Sequence, residues 1–151
     1  GSGKTELYLR AIERVIGQGR GAVCLVPEIA LTPQTIDRFQ ERFGACVALW
    51  HSRLTSRQRA EAWRQIANEQ VRIVVGTRSA VFLPVLRLGL IILDEEHEQT
   101  YKQEDTPRYH AREVAKARAR LTGATVLLGS ATPSIESYHE ARRGAMRPGC
   151  R

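Results

Sequence analysis

The run from Leu88 to His97, LGLIILDEEH, restricts what this chain can fold into more than any other stretch. Leu90, Ile91, Ile92 and Leu93 are consecutive aliphatic side chains, too few to span a membrane and without the polar alternation of a half-exposed strand. A strand of this kind is buried on both faces, which belongs to the interior of a parallel sheet and so to an α/β fold. Charge follows at once in Asp94, Glu95 and Glu96. Adjacent carboxylates repel one another unless a cation or a water-facing cleft relieves them. One acid where a strand ends is ordinary; three, followed by His97, favour a divalent-metal site at the strand's C-terminal end.

The chain opens with GSGKT, the second half of the phosphate-loop pattern G-x-x-x-x-G-K-[ST]. In that pattern glycines let backbone N–H groups converge on phosphate oxygens, Lys4 reaches the β- and γ-phosphates, and the Thr5 hydroxyl coordinates Mg2+. The first glycine of the pattern and its preceding strand are not in the sequence, so the sheet is expected to lack its first strand. A helical pattern then sets Leu7, Ala11 and Val15 beside Tyr8, Ile12 and Ile16 as two buried ridges.

Four further strands are predicted, each followed by a suggestive segment. After 22–26, Thr32 suits an N-cap and Pro33 a first helical residue, with Ile36, Phe39 and Phe43 as the core stripe. The Pro27–Gln34 segment reads as an anion site or as an ordinary strand-to-helix connection. After 46–50 comes His51-Ser52, where a lone histidine is read as packing or capping rather than catalysis. Thr55 and Gln58 spell a capping box, Ala60, Trp63 and Ala67 form the predicted buried face of the next helix, and Arg57, Arg59 and Arg64 are read as solvated. After 72–75, Gly76-Thr77-Arg78 suits either phosphate contact, with Arg78 pairing bidentately, or simple turn chemistry. The polar stretch 98–110 interleaves Tyr101 and Tyr109 with Lys102 and Arg108, a combination that can stack on bases and hold phosphates. A helix over 111–121 is predicted to turn Val114, Ala117 and Leu121 inward and Arg112, Lys116 and Arg120 outward. A last strand over 125–128 leads into GSATPS, and the residues beyond 143 support no element.

The 151 residues suit one domain, expected over 1–143 with an irregular tail over 144–151. A formal net charge of +7 permits a polyanionic partner. Cys24, Cys46 and Cys150 stand far apart without a C-x-x-C pair, so neither a disulfide framework nor a zinc site is indicated within the chain. No membrane-spanning run or signal peptide is seen, and a reducing cytoplasmic setting fits.

In an open parallel sheet the strand C-termini share one edge, where ligands bind. GSGKT, PEIALTPQ, GTRSAVF, DEEH and GSATPS are therefore expected around one cleft. Gly1, Ser2, Gly3, Lys4 and Thr5 would bind ATP, Thr5 and Asp94 would hold Mg2+, Asp94 through water, and Glu95 would orient or deprotonate the attacking water.

DEEH with GSATPS resembles the superfamily 2 helicases. LVPEIALTPQ, GTRSAVF and DEEHEQTYKQEDTPRYHAR are similar, more narrowly, to the bacterial primosomal replication-restart helicases, over Gly1 to about Ser137. The resemblance implies a RecA-like P-loop NTPase three-layer sandwich, and an ATP-dependent DNA helicase as the parent protein. It places Pro27, Thr32 and Gln34 with Gly76, Thr77 and Arg78 in motifs facing the DNA backbone. It makes Asp94 the metal-linked acid and Glu95 the catalytic acid, and gives His97, Ser130 and Thr132 the coupling of nucleotide state to DNA. Tyr101, Lys102, Arg108 and Tyr109 fall in a loop linking single-stranded DNA contact to hydrolysis. It further implies, outside this stretch, an upstream DNA-binding region, a zinc-binding cysteine cluster and a second motor lobe. Single-stranded or forked DNA, primosome proteins and single-stranded DNA-binding protein are the implied partners, and the bacterial cytoplasm and nucleoid the implied location.

Overall fold

A computed structural model describes residues 2–94 and 111–129. The elements run α1 (Ser2–Gly17), β1 (Gly21–Leu25), α2 (Pro33–Phe43), β2 (Val47–Trp50), α3 (Ser56–Ala67), β3 (Ile73–Gly76), β4 (Leu88–Asp94), α4 (Ala111–Thr122) and β5 (Thr125–Gly129), with short 3-10 turns at Glu28–Ala30, Gly44–Cys46 and Arg78–Phe82. All five strands are parallel, in the order β2-β3-β1-β4-β5. The aliphatic run is β4, buried at every position and flanked by β1 and β5, as a strand covered on both faces requires.

Side-chain alternation along the strands divides the core into two layers. Ala22, Cys24, Leu90 and Ile92 point to the face covered by Tyr8, Leu9 and Ile12 of α1 and Phe39 of α2. Val23, Leu25, Ile91 and Leu93 point to the other, where Ile66 of α3, Val81 and Leu83, and Ala111, Ala115 and Ala119 of α4 meet them. The result is the expected three-layer α/β sandwich. Thr32 caps α2, accepting from the Thr35 amide at 3.2 Å, with Pro33 opening the helix. Thr55 and Gln58 cap α3 reciprocally, at 3.1 and 2.8 Å.

Three helix faces differ from the sequence expectation. On α1, Leu9 is buried and Leu7 is 45% exposed, because the helix lies on the sheet along the Tyr8–Ile12 line. On α3 the buried pair is Ala62 and Ile66; Ala60 and Ala67 are exposed and Trp63 nearly half so. Ile66 packs among Ala48 of β2 and Val74 of β3, and Ala62 lies one turn before it. On α4 an alanine stripe at Ala111, Ala115 and Ala119 carries the buried face; of the expected residues Val114 packs against it partly buried, whereas Ala117 is exposed and Leu121 is 87% exposed. Methyl side chains let this helix approach the sheet closely. Arg118, on the flank, donates to the Val81 carbonyl and ties α4 to the turn after β3.

Candidate nucleotide and nucleic-acid site

Because the strands are parallel, Leu25, Trp50, Gly76, Asp94 and Gly129 end them at one edge of the sheet. The N-terminus of α1 comes to the same edge. Lys4 in its first turn reaches across ninety positions of sequence, and its Nζ lies 3.2 Å from Asp94 Oδ1. Asp94 is 6% exposed, the one buried charged residue among those described. Its negative charge adds to burial in pushing the neighbouring Cys24 thiol well above its ordinary value.

This corner suits a nucleotide triphosphate. First-turn amides of a helix lack intrahelical acceptors and favour phosphate. A Cβ built on Gly3 would meet nothing within 4 Å, so packing within the chain does not explain this glycine, whereas close approach of a phosphate would. Lys4 supplies the cation, half-buried Thr5 a hydroxyl, and Asp94 a carboxylate. Mg2+ is commonly held by one or two carboxylates together with substrate phosphates and water, so this donor set fits it. Among the described residues no group of three acidic, histidine or cysteine side chains gathers to hold a metal by itself.

A second concavity, about 540 Å³, opens at the ends of β1, β2 and β3. Pro27, Thr77 and Arg78, all expected at a DNA surface, line it. Backbone bonds make its floor rigid: Val26 donates to Gly76 and Thr77 to Trp50, both at 2.9 Å, carrying the sheet ladder to the rim. Gly76 is obligatory here, since a Cβ would run into the Trp50 carbonyl and lie 2.8 Å from the Trp50 Cβ. Thr32 and Gln34 do not line this cleft; Thr32 is engaged as the cap of α2 and Gln34 is exposed in that helix's first turn.

The same cleft contains residues to which the sequence reading gave no binding role of their own. His51, Ser52, Arg53, Arg59 and Glu28 line it. Arg59, read from the sequence as merely solvated, donates to the carbonyls of His51 and Ser52 at 3.4 and 3.2 Å and lies 5.8 Å from the centre of the Trp50 ring. The available signal was positional: His51-Ser52 follows a strand as the other suspect segments do. Gly1, Glu95, His97, Tyr101, Lys102, Arg108, Tyr109, Ser130 and Thr132 lie outside the described residues.

A sequence profile described as DEAD/DEAH box helicase matches residues 1–141. The replication restart protein PriA of Bacillus subtilis is 56% identical over 144 residues, which are 95% of this chain and 18% of that protein. Its counterpart in Haemophilus influenzae is 50% identical over 144 residues, 95% of this chain and 20% of that one. The chain thus spans about a fifth of the length of the curated relatives it matches. Among solved structures, Mycobacterium smegmatis helicase Lhr bound to ssDNA and AMP-PNP aligns with TM-score 0.53 at 16% identity, over 83% of this chain and 16% of that one. A Saccharomyces cerevisiae Dbp5 variant bound to Gle1 and IP6 aligns with TM-score 0.58 at 10% identity, over 95% of this chain and 36% of that one. At these identities the structural likeness concerns the fold.

Proposed function

This chain belongs to the DEAD/DEAH box helicase family, and from that premise we propose that it is the first motor lobe of an ATP-dependent DNA helicase acting in replication restart. The observation that carries the reading is the Lys4–Asp94 pair, which joins the phosphate-loop lysine to the acid ending β4 at the ligand-binding edge of a parallel sheet. The identity of about half to the PriA proteins supports the restart assignment.

When bound, ATP supplies the phosphoryl group transferred to water, and Mg2+ neutralises charge on its phosphate oxygens. Lys4 and the first-turn amides of α1 would hold the phosphates, and Thr5 and Asp94 would hold the cation, Asp94 through water. Before nucleotide binds, Asp94 holds the Lys4 ammonium at the phosphate corner. Glu95, next in sequence, would orient or deprotonate the attacking water, with His97, Ser130 and Thr132 coupling hydrolysis to DNA. Pro27, Thr32, Gln34, Gly76, Thr77 and Arg78 would follow the strand's backbone, and Tyr101, Lys102, Arg108 and Tyr109 would add stacking and phosphate contact.

The lobe is assigned to 1–143, with 144–151 as a tail. The full protein would add an upstream DNA-binding region, a zinc-binding cluster and a second lobe. Its partners would be forked or single-stranded DNA, primosome proteins and single-stranded DNA-binding protein, in the bacterial cytoplasm at the nucleoid. Among the described residues no helix is long and apolar enough to cross a membrane.

In the full-length protein, Glu95→Gln is expected to leave ATP binding nearly unchanged and to lower DNA-stimulated turnover by about a hundredfold or more, the scale of lost general-base catalysis. Undiminished turnover would remove Glu95 from its assigned role. Strand displacement on forked DNA, measured beside ATPase activity, separates a helicase from a superfamily 2 translocase that moves without parting strands.

A further inference from the structure

We propose that Tyr8 is a positioning residue: its phenol, seated on Gly129, passes movement of the phosphate-binding helix α1 to the GSATPS segment that begins at that glycine. The inference rests on the DNA-motor reading and adds to it a contact between the nucleotide corner and the segment of Ser130 and Thr132.

Register brings the parts together. Asp94 and Gly129 are partners across the β4–β5 ladder, each at the last position of its strand. Side chains alternate along β5, where Leu127 turns to the α1 layer and Val126 and Leu128 to the other, so position 129 faces α1 too. The same alternation along β4 sets Asp94 on that face with Leu90 and Ile92. On α1, Lys4 and Tyr8 stand one turn apart and share a face. Lys4 meets Asp94 at 3.2 Å, and Tyr8 covers Gly129. A single helical turn therefore bears on two neighbouring strand ends.

The contact on Gly129 is close. A Cβ built there would run into the Tyr8 hydroxyl oxygen and lie 2.7 Å from Cζ and 2.9 Å from Cε1. Glycine at this position is what lets the phenol lie directly on the strand. Tyr8 is 3% exposed, its hydroxyl oxygen is buried, and it packs in one layer with Leu9, Ile12 and Leu127. A close-packed layer has low compressibility, so it transmits a displacement instead of absorbing it. When Lys4 exchanges Asp94 for a phosphate, the first turn of α1 loses its tie to β4. Tyr8, one turn further on, carries the resulting shift to Gly129, next to which Ser130 begins the proposed coupling residues.

Steady-state ATP hydrolysis by the full-length protein, with and without oligothymidylate, tests this. Tyr8→Leu is expected to lower the DNA-stimulated kcat about tenfold, with a smaller fall in the DNA-free kcat. The KM for ATP should stay within about twofold, because the phosphate contacts of Lys4 and Thr5 remain. Tyr8→Phe keeps the ring on Gly129 and should restore the stimulated kcat to within about twofold of the unsubstituted protein. Thermal unfolding checks the contact independently of activity. Gly129→Ala should lower Tm in the unsubstituted protein and lower it less in the Tyr8→Leu background, where the phenol that the methyl would strike is gone. Should Tyr8→Leu fail to fold, Gly129→Ala takes its place in the kinetic test, with the same selective fall in the stimulated kcat expected. Full stimulation in a folded variant, an equal fall in the stimulated and DNA-free kcat, or additive Tm shifts would each overturn the role of Tyr8 and leave the motor reading standing. If DNA does not stimulate hydrolysis by the unsubstituted protein, both fail.

Discussion

Asp94 and Lys4 show how one pair serves both stability and function. A buried carboxylate carries a large desolvation penalty, which the ammonium at 3.2 Å offsets. Removing one partner takes that offset away from the other charge, so the single substitutions are costly and the double one less so. Lys4→Met should destabilise the chain by about 1–3 kcal/mol, less than for a fully buried pair because the lysine side chain keeps 19% exposure. Adding Asp94→Asn should recover part of that loss, with a coupling of about 1 kcal/mol or more in a double-mutant cycle of urea unfolding. Simple additivity would show that the pair contributes nothing to folding. Nucleotide binding should be lost in Lys4→Met whatever its stability, because the cation that meets the phosphates is gone.

Strands were more legible than helix faces, and the reason is chemical. Each strand is a short aliphatic run bounded by glycine or polar residues, and each predicted strand lies within about two residues of its observed bounds. Both helix caps were legible because a cap is a local pattern, such as Thr55 with Gln58. The buried faces of α3 and α4 were not. Alanine is equally at home in a tight helix–sheet contact and in water, so Ala111, Ala115 and Ala119 do not stand out from Ala117 before the sheet is in place. The contribution of Arg59 was hidden for a similar reason, since its partners are backbone carbonyls of a preceding loop. Gly76 shows what becomes visible only when strands are paired. Its neighbour across the ladder is Trp50, whose carbonyl and Cβ close off the space of a side chain. Gly76→Ala should therefore push β2 from β3 at the cleft, costing about 1–3 kcal/mol as an overpacked site does. Chemical unfolding measures that cost, and Trp50 fluorescence should report the displaced strand end. An alanine variant of unchanged stability would show that the ends of β2 and β3 can part freely.

At the scale of the molecule, the pattern of segments after strands pointed to one edge of the sheet, the edge at which the five strands end, but the order β2-β3-β1-β4-β5 could not be read from it, because parallel strands separated by helices are compatible with many orders. That order places the ends of β2, β3 and β1 side by side as one basic cleft and puts β4, with Asp94, on the other side of β1. The proposed nucleic-acid and nucleotide corners thus share an edge, and the central strands connect them. The chain represents about a fifth of the PriA relatives, so the proposed second lobe, with the groups that would complete the ATP cleft, lies outside it. Phosphoryl transfer depends almost wholly on positioning and on preorganised charge around the transferring group. Half a cleft can supply ground-state contacts through Lys4, Thr5 and the α1 amides without surrounding the transition state. The 151-residue chain alone is therefore expected to bind ATP with Mg2+, raising its folding stability by about 2.7 kcal/mol when nucleotide is present at roughly a hundred times its dissociation constant. It should nevertheless turn ATP over slowly, without stimulation by single-stranded DNA. Thermal unfolding with and without nucleotide, beside phosphate release with and without oligothymidylate, tests both halves. Strong DNA-stimulated hydrolysis by this chain would show that one lobe completes the transition-state site.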